Sequence, residues 1–315
     1  MPDKEELKIS VIIPTLNGAE RLDDLFASLK GQSLLPDEIL VIDSGSRDAT
    51  LSIARSHDVR IITLSPDAFD HGGTRTLAGR EALGNILVYL TQDAVPDDDR
   101  ALEQLVAPFA DARIAATYGR QLPHADATPA ARHLRAFNYP VQDSVRCWED
   151  RQTYGFKTAF ISNSFAAYRK DLLAQVDFFI TGMLFGEDTF TLAKLLRRGY
   201  CVAYAAEARV RHSHNYTLGR EFKRYFDIGV VHARHRELIA SFGTPSAEGR
   251  RYVRSELSYL FREGYFLSLP GSIARSGAKY IAYQLGKRFT LLPRGLAMRL
   301  SLNKRWWQVN LSKGT

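Results

Sequence analysis

The sequence predicts an α/β fold, a mostly parallel sheet flanked by helices, with a C-terminal helical extension. Three observations lead there. Apolar β-rich runs alternate with amphipathic stretches across residues 9–109, and continuous apolar strands separated by helices build a parallel sheet covered on both faces. Several of those strands end in glycine and short polar residues. Beyond Thr217 the chain turns helical, divided by Gly243-Thr244-Pro245, Pro270-Gly271 and Pro293.

Taken in order, Ile9 to Pro14 reads as the first strand, and Gly18 to Lys30 as a helix whose Leu22, Leu25, Phe26 and Leu29 fall at helical spacing. Ile39 to Ile42 is the second strand, Asp48 to Ser56 a helix with Asp48 placed to cap it, and Val59 to Leu64 the third strand. A helix over Thr74 to Leu83 and a strand over Ile86 to Leu90 follow, then a helix over Asp97 to Phe109 and a strand over Ile114 to Tyr118. Residues 123–158, with Pro123, Pro129 and Pro140, read as irregular. A strand over Phe160 to Tyr168, a helix over Glu187 to Arg198, and short strands over Cys201 to Tyr204 and Ala208 to His212 complete the sheet.

The chain has 315 residues, 45% hydrophobic and 24% charged. That composition excludes a disordered, collagen-like or disulfide-scaffold protein. The length favours one large domain with an appendage, or two modest domains, and the pattern divides the chain into 1–216 and 217–315. The net charge of +7 is unevenly spread: residues 250–315 hold 13 Lys/Arg against 2 Asp/Glu, residues 1–249 hold 29 against 33. An anionic partner is therefore sought at the basic tail. With no apolar run long enough to span a bilayer, the expectation is surface contact. Two cysteines and a start lacking a secretory pattern predict a reduced, cytoplasmic chain.

Neither G-x-G-x-x-G nor G-x-x-x-x-G-K-[ST] is present, so the dinucleotide and P-loop phosphate grips are absent. The candidate chemistry is acidic. Asp43 ends the second strand, Asp93 follows the fourth, and Glu187-Asp188 opens a helix. Ligands of open α/β sheets lie beyond the carboxyl ends of the strands. Carboxylates there suit Mg²⁺ or Mn²⁺, which takes one or two of them plus phosphate oxygens. His212, at the end of a strand, is a further candidate ligand for the metal.

The runs Val11-Ile12-Ile13-Pro14-Thr15-Leu16-Asn17-Gly18 and Glu38-Ile39-Leu40-Val41-Ile42-Asp43-Ser44-Gly45-Ser46-Arg47-Asp48 resemble the opening of a family-2 glycosyltransferase with the GT-A fold. Arg75, Leu90-Thr91-Gln92-Asp93-Ala94 and Gly186-Glu187-Asp188 continue the likeness in the family's order, and it spans about residues 8–215. Phe69-Asp70-His71-Gly72-Gly73-Thr74-Arg75 and His212-Ser213-His214-Asn215-Tyr216 look most like bacterial rhamnosyltransferases of surface polysaccharide assembly.

The resemblance implies a role for each matching residue. Pro14, Thr15, Leu16 and Asn17 would line the base and ribose pocket, with Asp43 accepting from an imide N–H and Ser44 beside it. Arg75 would face the diphosphate, with Gln92 nearby. Asp93 matches the last carboxylate of the Asp-x-Asp metal motif, while Thr91 stands where the first is usual. Asp188 matches the base that takes the acceptor's proton, with Glu187 as its neighbour. His71 and Gly72-Gly73 offer either a close approach to ligand or a tight turn; His214 reads as structural.

The expected function is metal-dependent, inverting transfer of a sugar, L-rhamnose from dTDP-L-rhamnose, to a lipid-linked or oligosaccharide acceptor in O-antigen synthesis. A transferase using another UDP- or dTDP-sugar is the alternative, and a polyanion-binding protein acting through its tail the non-enzymatic one. Nucleic acid is not an expected partner of the enzyme; a second copy of the chain is an open one. The tail, with Trp306-Trp307 as aromatic anchors, is expected to rest on an anionic membrane, which places the enzyme peripherally on the inner face of the plasma membrane; the alternative is that these aromatics pack against the catalytic domain or a second subunit.

Overall fold

In the computed structural model, which describes residues 7–243 and 246–310, the strands form one mixed sheet. They are β1 (Ile9–Thr15), β2 (Glu38–Asp43), β3 (Arg60–Thr63), β4 (Ile86–Leu90), β5 (Val95–Pro96), β6 (Ile114–Leu122), β7 (Ser144–Arg146), β8 (Phe165–Arg169) and β9 (Cys201–Arg211). The spatial order is β3-β2-β1-β4-β8-β6-β9-β5, with β7 also on β9. Alternation along β1 explains its place: Ile9, Val11 and Ile13 pack with Leu22, Leu25, Phe26 and Leu29 of α1 (Ala19–Lys30), while Ile12 faces the other layer.

The expected parallel sense holds for β3-β2-β1-β4 and for β6 with β9. It fails at β8, which runs antiparallel between β4 and β6, and at β5 and β7 on β9. The sheet is thus mixed but still mostly parallel, with β1 to β4, β6 and β9 sharing one direction and β8, β5 and β7 running against them. The two short strands expected at 201–212 are one strand, and the break that the sequence suggests is a register shift opposite Gly119 and Arg120.

The helices of the first half are α2 (Thr50–Ser56), α3 (His71–Glu81), α4 (Ala101–Val106), α5 (Pro129–Asn138), α6 (Arg151–Tyr154), α7 (Lys170–Ala174) and α8 (Glu187–Arg197). Asp70 caps α3, accepting from Gly73 N, and Thr128 caps α5, accepting from Ala131 N.

The C-terminal helices are α9 (Leu218–Arg234), α10 (Arg236–Ala240), α11 (Ser246–Arg262), α12 (Leu269–Lys287), α13 (Arg294–Leu300) and α14 (Lys304–Asn310). Phe226, Val230, Ala282 and Ala297 share a core cluster with Met183, Leu184 and Phe190, so this region is bonded into the body by apolar packing. Trp306 and Trp307, expected as membrane anchors, are buried in that cluster. Trp306 donates to the Gly182 carbonyl at 2.8 Å. Cys147 and Cys201, expected as reduced thiols, are joined in a disulfide. The antiparallel register of β7 on β9, with Arg146 opposite Val202, sets these two cysteines face to face just beyond the paired residues.

The crossing of α9 and α12 depends on two glycines. A Cβ on Gly286 would run into the Phe226 carbonyl, and one on Gly229 into the Tyr283 carbonyl. Gly286→Val should therefore force the helices apart and cost about 1–3 kcal/mol, lowering the thermal midpoint by several degrees. An unchanged midpoint in a melting experiment would show that the crossing has slack.

Candidate active site

The carboxyl ends of β1 and β2 form one hydrogen-bonded corner. Asp43 is fully buried, and its carboxylate accepts from Gly45 N and Ser46 N at 2.9 Å each, Ser46 Oγ at 2.5 Å and Thr15 Oγ1 at 3.1 Å. A carboxylate has about four lone-pair sites, so Asp43 is committed to shaping the turn. Base recognition through it would need Ser46 to turn away. Ser44 lies buried beside it. Asn17 adopts a left-handed φ of 50° and accepts from Arg47 N, while its own N–H donates to Ser46 Oγ. Gln92 joins the β1 and β4 ends by a reciprocal pair: its Oε1 accepts from Leu16 N at 2.9 Å and its Nε2 donates to Leu16 O at 3.1 Å. Leu16 and Asn17 are exposed and Pro14 partly so, which leaves an apolar and amide rim facing solvent.

A second group gathers where β9 ends. Asp93, His212 and His214 each offer a ligand atom, and these atoms lie within 4.8 Å of one another. Asp93 Oδ1 stands 3.5 Å from His212 Nε2, and Oδ2 stands 3.7 Å from His214 Nε2. His212 Nδ1 lies 2.9 Å from Gln121 Oε1, which also accepts from Arg135 Nη1. An oxygen there requires Nδ1 to carry a proton, which leaves Nε2 as the nitrogen facing Asp93. Burial, then the neighbouring His212, pushes His214 down to about 4, leaving it neutral at pH 7. Burial alone would raise Asp93, but His212 and His214 more than offset it and hold the carboxyl far below its usual range.

One carboxylate and two imidazoles make a donor set that fits Mn²⁺ or Mg²⁺ completed by phosphate oxygens. Sequence reading missed His214. The signal was its spacing: His-x-His on extended chain puts both rings on one face.

The acid pair stands at the start of α8, which Gly186 opens with a φ of 84°. Glu187 is buried and paired with Arg75 Nη1 at 3.1 Å. Arg75, expected to face a diphosphate, is itself buried and also donates to the His71 carbonyl. Burial would raise the Glu187 carboxyl, but Arg75 and then His71 more than offset it, and its pKa is lowered. Asp188 is half-buried; it accepts from Asn163 N at 3.1 Å and Thr189 N at 2.7 Å. Burial, then the charge of Glu187, pushes Asp188 up to about 6.

Residues 162–164, leading into β8, touch both groups. Ser162 Oγ accepts from Gln121 Nε2, which supports His212, and Asn163 N holds Asp188. Of the two readings for Gly72-Gly73, the close approach at Gly72 is to chain: a Cβ there would strike the Ile180 carbonyl. Asp70 adds a bond to Gly182 N at 3.0 Å, tying the start of α3 to the approach to α8.

The family model for glycosyl transferase family 2 matches residues 10–177. This chain belongs to glycosyl transferase family 2. It is 42% identical to the O-antigen chain rhamnosyltransferase RfbN of Salmonella typhimurium, covering 96% of each chain. It is 41% identical to the O-antigen chain rhamnosyltransferase WbaN of Salmonella anatum, covering 95% of each. Its fold resembles that of a mannosyltransferase from Pyrobaculum calidifontis solved with GDP-Man and Mn²⁺: TM-score 0.60, 17% identity, covering 96% of this chain and 88% of that one.

If Asp93, His212 and His214 hold the metal together, Mn²⁺ affinity read by water proton relaxation should fall in His214→Ala. The drop should be at least the roughly 10–100-fold that loss of an outer-shell partner costs. Unchanged affinity would reduce the set to Asp93 and His212.

Proposed function

We propose that this family-2 glycosyltransferase moves L-rhamnose from dTDP-L-rhamnose, with inversion, onto a lipid-linked saccharide in O-antigen synthesis. The sugar and the pathway rest on the two Salmonella relatives, which match almost the whole chain. The observation that carries the chemistry is Asp188, a half-buried carboxylate raised to about 6 and joined through residues 162–164 to the Asp93–His212–His214 group. A group near that value is largely ionised at pH 7 yet basic enough to accept a proton as the acceptor oxygen attacks. Glu187, held ionised by Arg75, keeps that basicity raised.

Asp93, His212 and His214 are the residues that would hold Mg²⁺ or Mn²⁺, which when bound supplies positive charge to a departing diphosphate. Pro14, Thr15, Leu16 and Asn17 form the rim on which the nucleotide rests, with Gln92 fixing its shape and Asp43 and Ser44 supporting it from below. Residues 1–216 carry catalysis.

Residues 217–315 contact the anionic inner face of the plasma membrane. No helix among the described residues is long and apolar enough to cross a bilayer. With Trp306 and Trp307 buried, the supporting surface is a different one: Phe261, Phe266, Leu267, Ile273 and Ile281 are exposed on and between α11 and α12, in the strongly basic region. Apolar side chains set among cations suit the interface of an acidic bilayer.

Asp188→Asn should lower kcat by about 10²–10⁴-fold, the scale of general-base loss, and leave dTDP-rhamnose binding by calorimetry near wild type. Comparable turnover in the variant would remove Asp188 from the mechanism. Because its folded pKa is raised, the base loses its ionised form as pH falls through about 6. In wild type kcat/KM should therefore rise with pH across that value and level off above it; a flat profile from pH 5 to 8 would contradict the assignment.

A further inference from the structure

Arg220 and Arg224 stand around Tyr216, and Arg135 reaches the neighbouring metal-binding group through Gln121, none of the three with a carboxylate in ion-pair reach among the described residues. The guanidinium of Arg220 lies 5.4 Å from the Tyr216 ring centroid, and that of Arg224 lies 5.9 Å from it and 5.8 Å from Phe185. Both side chains are exposed. Arg135, from α5, spends Nη1 on Gln121 Oε1 at 2.6 Å, and its Nε is buried without a partner. Nearby cations elsewhere are answered: Arg275 and Lys279 pair with Glu221 at 2.8 and 3.2 Å, and Arg75 with Glu187.

The cluster adjoins the reacting centre. Tyr216 stacks on His214 at 5.2 Å and 25°, and His214 meets His212 edge-on at 4.8 Å. The positive charge of Arg224 is felt by His71, beside the Arg75–Glu187 pair, and by His214 in the metal-binding group. It therefore stands within reach of both halves of the site. Burial disfavours the charged form of Arg135, and Arg224 adds to that against the favourable pull of Tyr139, Tyr216 and Asp93. With no carboxylate within ion-pair distance of the three among the described residues, a bound anion would relieve that cost. Planar guanidinium forks fit the oxygens of a phosphate in pairs, and an aromatic floor orients them.

We propose that Arg135, Arg220 and Arg224 form a diphosphate subsite beside the Asp93–His212–His214 group, with Arg135 as the fixed wall and the exposed Arg220 and Arg224 as the outer clamp. Two sources could supply the diphosphate, the nucleotide leaving group or the lipid-linked acceptor. Naming those sources rests on the glycosyl-transfer reading above; the anion site itself does not.

The test is calorimetric titration of the full chain with inorganic pyrophosphate in EDTA, which silences the metal site. The expected result is binding by wild type, weakened tenfold or more in the double variant Arg220→Ala/Arg224→Ala. It should be unchanged in Arg262→Ala, an exposed charge loss on α11. No binding by wild type, equal affinity in the double variant, or an equal loss in Arg262→Ala would overturn the proposal.

Repeating the titration with dTDP and with farnesyl diphosphate identifies the source. Selective loss for dTDP assigns the clamp to the donor, selective loss for the isoprenyl diphosphate assigns it to the acceptor, and loss for neither overturns it. Should the wild-type chain transfer no sugar while these losses appear, the glycosyl-transfer reading falls and the subsite stands.

Discussion

The ion pair between Arg75 and Glu187 is the contact on which the rest of the site depends. Both side chains are buried, and two charges withdrawn from water are tolerable only when each answers the other. The pair joins α3 to the first turn of α8. Loss of either partner would leave an uncompensated buried charge, a defect of about 3–5 kcal/mol. By fixing the negative charge on Glu187, the same contact makes ionisation of the adjacent Asp188 harder. A structural clamp thereby sets the basicity of its neighbour.

The opposite pole of the site gathers a carboxylate and two imidazoles. Thr91 occupies the position where a first motif carboxylate is usual, and the structure brings a second imidazole, His214, to the same group. The fixed tautomer of His212 follows from Gln121, whose oxygen already serves Arg135. The polar chain from Arg135 through Gln121 to Ser162 therefore reaches from α5 to the segment leading into β8, whose Asn163 N holds Asp188. Acid pair and metal-binding group are held in one frame rather than by independent loops.

Much of this was legible in the residues. Apolar runs located β1 to β4 because a two-sided core demands them, and the order of strand-end motifs pointed to Asp43, Asp93 and Asp188. Strand direction was not legible at β8, since side-chain alternation is the same for either sense of pairing. The tail misled for a related reason: an aromatic flanked by arginines reads alike whether it meets lipid or a neighbouring helix, and here Trp307 meets Phe226 and Phe289 while Trp306 meets the Gly182 carbonyl. Arg75 looked like a phosphate ligand because spacing cannot reveal that Glu187, 112 positions later, folds against it. The cysteines paired through strand register, which the sequence does not print.

The most direct test of this account is a ¹³C-carboxyl NMR titration of the protein labelled at aspartate and glutamate. Two carboxyls should titrate near pH 6, Asp227, which burial also raises to about 6, and a site carboxyl whose resonance alone should vanish in Asp188→Asn, while Glu187 should stay ionised through that range. If both pH 6 transitions survive in Asp188→Asn and one disappears instead in Glu187→Gln, the assignment of charge within the pair, and the mechanism built on it, is contradicted.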